Sequence, residues 1–194
     1  MHLLEEWMTD NAELFRYAGE FSCMREKAER ILLSGTASVF LAPLFRTIYP
    51  ESTIIASSDD EEALNEVSES VPGIIKDDVP LTECEYKDID IAVSVLAIES
   101  LETRELTNYL FSLHDALVPK GNLYISFPST DKFVFSPMKE EKAWWDDGKI
   151  IKMERYQGDD VMKALSMIGF DIKAAERDVL PDLGTVISIH AEKR

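Results

Sequence analysis

The chain has 194 residues, 45% of them hydrophobic, with 20 basic against 37 acidic side chains and a formal net charge of −17. That size and apolar content suit a single domain over residues 1–194 with a full core, and no apolar run approaches the about 18 residues that a membrane span needs. Lysines and arginines are interleaved with acids rather than gathered on one face, so nucleic acid is excluded as the expected partner. The charge reads as a solvated acidic surface or as a surface for a basic partner protein.

The opening "MHLLEEWMTDNAELF" carries acids where a secretory leader would be basic and then greasy. Cys23 and Cys84 are far apart and lack metal-ligand spacing, so they read as buried or free thiols. The expectation is a cytoplasmic protein without a metal.

In chain order, Leu3 to about Arg30 predicts a helical extension, with Leu4, Trp7, Leu14, Ala18 and Phe21 on one stripe. "RILLSGTASVF" follows. Its "ILLS" is either a short strand entering a small-residue loop or the end of the preceding helix, with Gly35 as a left-handed cap. "ASVFLAPLFRTIY" predicts a helix that tolerates Pro43 only near its start or at a kink. "STIIAS" predicts a buried strand. "SSDDEEALNEVSES" opens a helix, with Ser58 or Asp59 as cap and Glu61 or Glu62 completing a box.

"GIIK" and "IDIAVSVLAI" predict strands, "TRELTNYLFSLHDALV" an amphipathic helix, and "NLYISFP" a strand. Ser129 to Gly158 is long for a connection and holds Phe133, Phe135, Trp144, Trp145 and Tyr156. It is expected to form an aromatic insertion that packs on the sheet, acts as a lid, or makes a homodimer contact with the N-terminal helix. Ser136 and Pro137 supply a helix start within it. "GDDVMKALSMIG" predicts the last helix, and "FDIKAAERDV" and "GTVISIHAEK" a closing antiparallel hairpin. Strands alternating with helices give the fold class: α/β, a doubly wound, mostly parallel sheet with that hairpin at one edge.

Few residues announce chemistry. His114 lies in an amphipathic helix and His190 in the last strand; both read as structural. No nucleophile has a base at a fitting spacing, and no metal-ligand spacing is present. Glu99, in the loop after "IDIAVSV", is the one candidate base, set against a plain solvated acid.

The order and spacing from Ile31 to the C-terminus resemble the class I S-adenosylmethionine-dependent methyltransferases, of the small-molecule type. "YKDIDIAVSVLAIESL", "LFSLHDALVPKGNLYISFP" and "RYQGDDVMKALSMIGFDI" carry the resemblance. It implies a Rossmann-like fold, S-adenosylmethionine as cofactor and methyl transfer to a small molecule. By the same resemblance Gly35 lines the cofactor loop, Ser58 or Asp59 holds the ribose, and Asp77 or Asp78 approaches the adenine. Leu96 to Glu99 would border the methyl group.

The departures fall in the cofactor motifs. The family's first-strand acid falls on Leu33, its three loop glycines on Gly35, Ala37 and Val39, and its ribose acid on Ser58. A β-branched Val39 is stiff where glycine would let the backbone approach a ligand. Two readings follow: an active methyltransferase, or a non-catalytic relative that binds a protein or another ligand. A Val39→Gly, Ser58→Asp variant that gained cofactor affinity would indicate a preserved pocket.

Overall fold

In the computed structural model, the residues described are 12, 16, 18–20, 25–78, 85–130, 138–143, 150–180 and 183–194. The chain runs β1 (Arg30–Ser34), α1 (Thr36–Val39), α2 (Ala42–Ile48), β2 (Thr53–Ser57), α3 (Glu61–Ser70), β3 (Ile75–Asp77) and β4 (Ile89–Val95). A 3-10 turn (Ile98–Ser100) leads to α4 (Thr103–Ala116), β5 (Leu117–Pro128), β6 (Met138–Ala143), β7 (Ile150–Arg155), α5 (Gly158–Ile168), β8 (Phe170–Leu180) and β9 (Gly184–Lys193).

Seven strands form one sheet in the order β3-β2-β1-β4-β5-β9-β8. The first five are parallel, and β9 runs antiparallel between β5 and β8. Alternation along the strands sends residues to two cores. Ile31, Leu33, Val93 and Val95 face α1, α2 and α3, with Phe45, Leu64 and Val67. Leu32, Ala92, Leu123 and Ile125 face α4 and α5, with Tyr109, Leu113 and Leu165. A side chain of this kind stabilises by about 1.5–3 kcal/mol when fully buried.

The doubly wound sheet and its C-terminal antiparallel strands match the sequence expectation, with several local corrections. Residues 12, 16 and 18–20 are helical, yet no helix reaches Arg30. The Asp90 carboxylate accepts the backbone N–H of Glu29 at 2.7 Å and of Arg30 at 3.0 Å, and pairs with Arg25 at 2.8 Å. Those amides are held by a strand residue, so the chain enters β1 extended. This also removes the reading of Gly35 as the cap that ends a preceding helix: Ile31–Ser34 is strand, and Gly35 is instead the N-cap of α1, at φ 91°.

The helix expected around Pro43 is two helices, with Pro43 in the first turn of α2. Asp60, rather than Ser58 or Asp59, caps α3, its Oδ1 accepting from the Ala63 N–H at 3.0 Å. The insertion is not helical at Met138–Ala143, which pairs antiparallel with Ile150–Arg155 in a separate two-stranded sheet. Strand pairing is a long-range contact that a local helix-start signal does not report. Phe133, Phe135, Ser136, Pro137, Trp144, Trp145, Cys23 and Cys84 lie outside the described residues. Among the described residues no helix is long and apolar enough to cross a membrane.

Candidate functional site at the carboxyl ends of the strands

The chain leaves β1 towards β2 and β3 on one side, then returns to place β4 on the other. Such a reversal opens a crevice beyond the carboxyl ends of the two central strands, the usual ligand position in open α/β sheets. Gly35, Ser58, Asp59, Asp77, Asp78, Leu96 and Glu99 all follow or end β1 to β4, so the topology gathers them along one rim.

Hydrogen bonds shape that rim. The Gly35 N–H donates to the Ser57 carbonyl at 2.8 Å and the Ser58 N–H to the Asp77 carbonyl at 3.0 Å. Ser58 is buried; its hydroxyl shares a 2.9 Å hydrogen bond with Thr36 Oγ1 and accepts from the Asp60 N–H at 3.1 Å. Ser58 is therefore committed to fastening the loop after β2 to the loop after β1. Asp59 and Asp78 are exposed, and Asp77 is half-buried. Of the two ribose candidates, Asp59 is the one whose side chain lies open to solvent.

On the other side of the crevice, Ser38 Oγ accepts from the Val95 N–H at 2.7 Å, drawing α1 onto the last residue of β4. Beneath the strand ends, Tyr109 Oη lies 2.9 Å from both Ser34 Oγ and Ser94 Oγ. Ala37 and Val39 are buried, Val39 completely. These side chains are part of the core rather than a lining that faces ligand. The Val39→Gly, Ser58→Asp variant would consequently open a cavity and bury a carboxylate, which confounds a gain of affinity with damage to the fold.

Leu96 turns the chain out of β4. Its φ is 47°, uncommon for a bulky residue, and its N–H is held by the Ser126 carbonyl at 2.9 Å. The turn that follows buries Ile98 completely and leaves Glu99 only 3% exposed. Glu99 is thus not a solvated loop acid. Its Oε2 is buried with no hydrogen-bond partner among the described residues. Burial pushes the carboxyl up to about 8, opposed by a hydrogen bond from its own backbone. A strongly perturbed, buried acid just beyond the carboxyl end of a central strand is a candidate functional group on physical grounds.

Strand β7 lies against this turn. The chain leaves β7 through Tyr156, whose hydroxyl donates to the Leu101 carbonyl at 2.5 Å and lies 3.1 Å from Glu154 Oε2. Burial, and then Glu154, raise the phenol above its ordinary range. The insertion is therefore anchored beside Glu99. A groove of about 680 Å³ between Glu26 and Thr53 lies at the opposite, amino ends of β1 and β2.

His114 and His190 lie away from the crevice. His114 meets Phe170 edge-on at 5.2 Å, near the close of α4. Gly169, at φ 125°, gives it room: a Cβ there would stand 2.8 Å from His114 Nε2. His190 is buried in β9 with Nε2 2.9 Å from Asn122 Oδ1, and burial lowers its pKa. No cluster of His, Cys, Asp or Glu that could hold a metal occurs among the described residues.

Sequence reasoning missed the roles of Thr36, Ser38 and Tyr109. Small hydroxyl residues carry no distinguishing pattern, and their partners lie 22, 57 and 75 positions away. The burial of Glu99 also escaped it, because the packing of β7 against its turn is a tertiary contact.

No protein-family model matches the chain, and no curated protein matches it in sequence. Solved structures do match in fold. An S-adenosylmethionine-dependent methyltransferase from Mesorhizobium loti is 16% identical at a TM-score of 0.67, over 90% of this chain and 96% of its own. The 1,6-didemethyltoxoflavin-N1-methyltransferase of Burkholderia thailandensis, with bound 1,6-didemethyltoxoflavin and S-adenosylhomocysteine, is 13% identical at 0.69, over 98% and 87%. The N-methyltransferase NodS of Bradyrhizobium japonicum, in complex with S-adenosylhomocysteine, is 10% identical at 0.69, over 95% and 87%. The chain has the Rossmann-like fold of the S-adenosylmethionine-dependent methyltransferases.

Proposed function

We propose that the chain binds S-adenosylmethionine in the crevice between β1 and β4 and transfers its methyl group to a small molecule. The observation that carries this reading is the orphaned, buried Glu99 oxygen at the carboxyl end of β4. An unpaired carboxyl in an apolar site suits a positively charged group, and the sulfonium is one. The solved structures of the same fold that hold S-adenosylhomocysteine support the choice of cofactor.

When bound, the cofactor would supply an activated methyl group, so no covalent catalyst is required of the protein. Gly35 opens the cofactor loop, and its positive φ turns the backbone from strand into α1. Asp59 holds the ribose hydroxyls, since Ser58 is engaged with Thr36. Asp77 or Asp78, at the end of β3, meets the adenine edge, and Leu96 borders the methyl group. Glu99 is the candidate base that accepts the proton shed by the methyl acceptor. Placement of the acceptor and exclusion of water account for the rest of the rate.

Titration calorimetry with S-adenosylmethionine and S-adenosylhomocysteine tests the reading. Micromolar binding of either supports it, and no binding at millimolar ligand rejects it.

A further inference from the structure

We propose that Glu99 is a cation subsite: its buried, unpartnered carboxyl pairs with a positively charged organic group that enters the crevice beside it. The inference rests on the cofactor reading for one source of the cation and stands without it for the other.

Two independent features meet at this position. The topological reversal places the crevice between the ends of β1 and β4. The turn after β4 delivers a 3%-exposed acid whose Oε2 has no hydrogen-bond partner among the described residues. Buried charges are ordinarily paired, and no described cation forms an ion pair with Glu99. The charged and titratable groups on the adjoining elements are Lys152, Glu154 and Arg155 on β7, Tyr156 beyond it, and Glu102, Arg104 and Glu105 at the start of α4. Arg155 Nη1 reaches the Ser129 carbonyl at 3.4 Å, while the Glu105 carboxylate accepts from the Glu102 N–H at 2.8 Å. Tyr156 is occupied with Leu101 and Glu154. The unpartnered oxygen is itself that of an acid, so a cationic visitor is favoured over an anionic one.

The step balances simply. The Glu99 O–H bond breaks, its proton passes to buffer, and the carboxylate pairs with the arriving cation; nothing is oxidised or reduced. The positive group is either a sulfonium, present in S-adenosylmethionine and absent from S-adenosylhomocysteine, or the ammonium of an amine acceptor. In either case arrival of the cation converts a neutral acid into a carboxylate able to take a proton.

The experiment is calorimetry near neutral pH in buffers of differing ionisation enthalpy, with a 13C-NMR titration of the Glu99 carboxyl in the wild-type protein. A sulfonium source releases about one proton with S-adenosylmethionine and none with S-adenosylhomocysteine, and Glu99→Gln abolishes the release. An ammonium source leaves both cofactor titrations without release, while millimolar benzylammonium lowers the Glu99 titration midpoint and benzyl alcohol does not. The subsite is overturned if S-adenosylmethionine binds without proton release and benzylammonium leaves the midpoint unmoved; the cofactor reading would then survive. If neither cofactor form binds, that reading falls and the benzylammonium titration alone decides the subsite. Because the NMR readout needs no variant, a Glu99→Gln protein that failed to fold would not block the test.

Discussion

The neutrality of Glu99 has a direct consequence for stability. Its carboxyl is 3% exposed and titrates near 8 in the folded chain, against an ordinary value of 4.5. Between those values the folded protein holds a proton that the unfolded chain has lost. Stability from this group is therefore fully present below the unfolded value and is lost as pH rises towards the folded one. The slope is about 1.4 kcal/mol per pH unit, so raising the pH from about 5 to about 7 removes about 3 kcal/mol. Glu99→Gln keeps the shape and cannot ionise. Its stability relative to wild type should rise by about 3 kcal/mol over the same interval. Urea denaturation of both proteins measures this, and taking the difference cancels the other carboxylates. A difference that stays flat across that range would refute the burial of an unpaired acid at the end of β4.

Asp90→Ala should cost about 3 kcal/mol in urea denaturation, because it removes the acceptor for two backbone N–H groups and the partner of Arg25. A loss below about 1 kcal/mol would show that solvent replaces those contacts. Tyr109→Phe is expected to destabilise by about 2 kcal/mol, since it strips the shared partner from Ser34 and Ser94 under the crevice; an unchanged chemical midpoint would contradict it. Val39→Gly should lose about 3 kcal/mol through its cavity and the glycine in α1, and a stabilised variant would overturn its assignment to the core. Under the cofactor reading, Asp59→Ala weakens S-adenosylmethionine binding by about tenfold or more, and Ser58→Ala by less. Calorimetry showing the reverse order would assign the ribose contact to Ser58.

The sequence by itself determined the class of fold. Runs such as "IDIAVSV" between amphipathic stretches require strands buried on both faces, and helices must cover them. The final pair of strands and the boundaries of α4 and α5 were legible for the same reason: hydrophobic periodicity is local and survives in one dimension. The rim residues could also be placed in order, because each follows a strand. What those residues do was decided elsewhere. Ser58 reads as a ribose contact until Thr36, 22 residues earlier, takes its hydroxyl. Arg30 reads as the end of a helix until Asp90, 60 residues later, holds its amide in a strand. Met138–Ala143 follows the helix-start signal of Ser136 and Pro137, yet pairs with β7 as a strand. Glu99 reads as a candidate base or a solvated acid until β7 packs against its turn and it is buried. Local periodicity fixes which segments are strand or helix. The ionisation and commitment of a single polar side chain depend on partners that only the folded chain brings within hydrogen-bond reach.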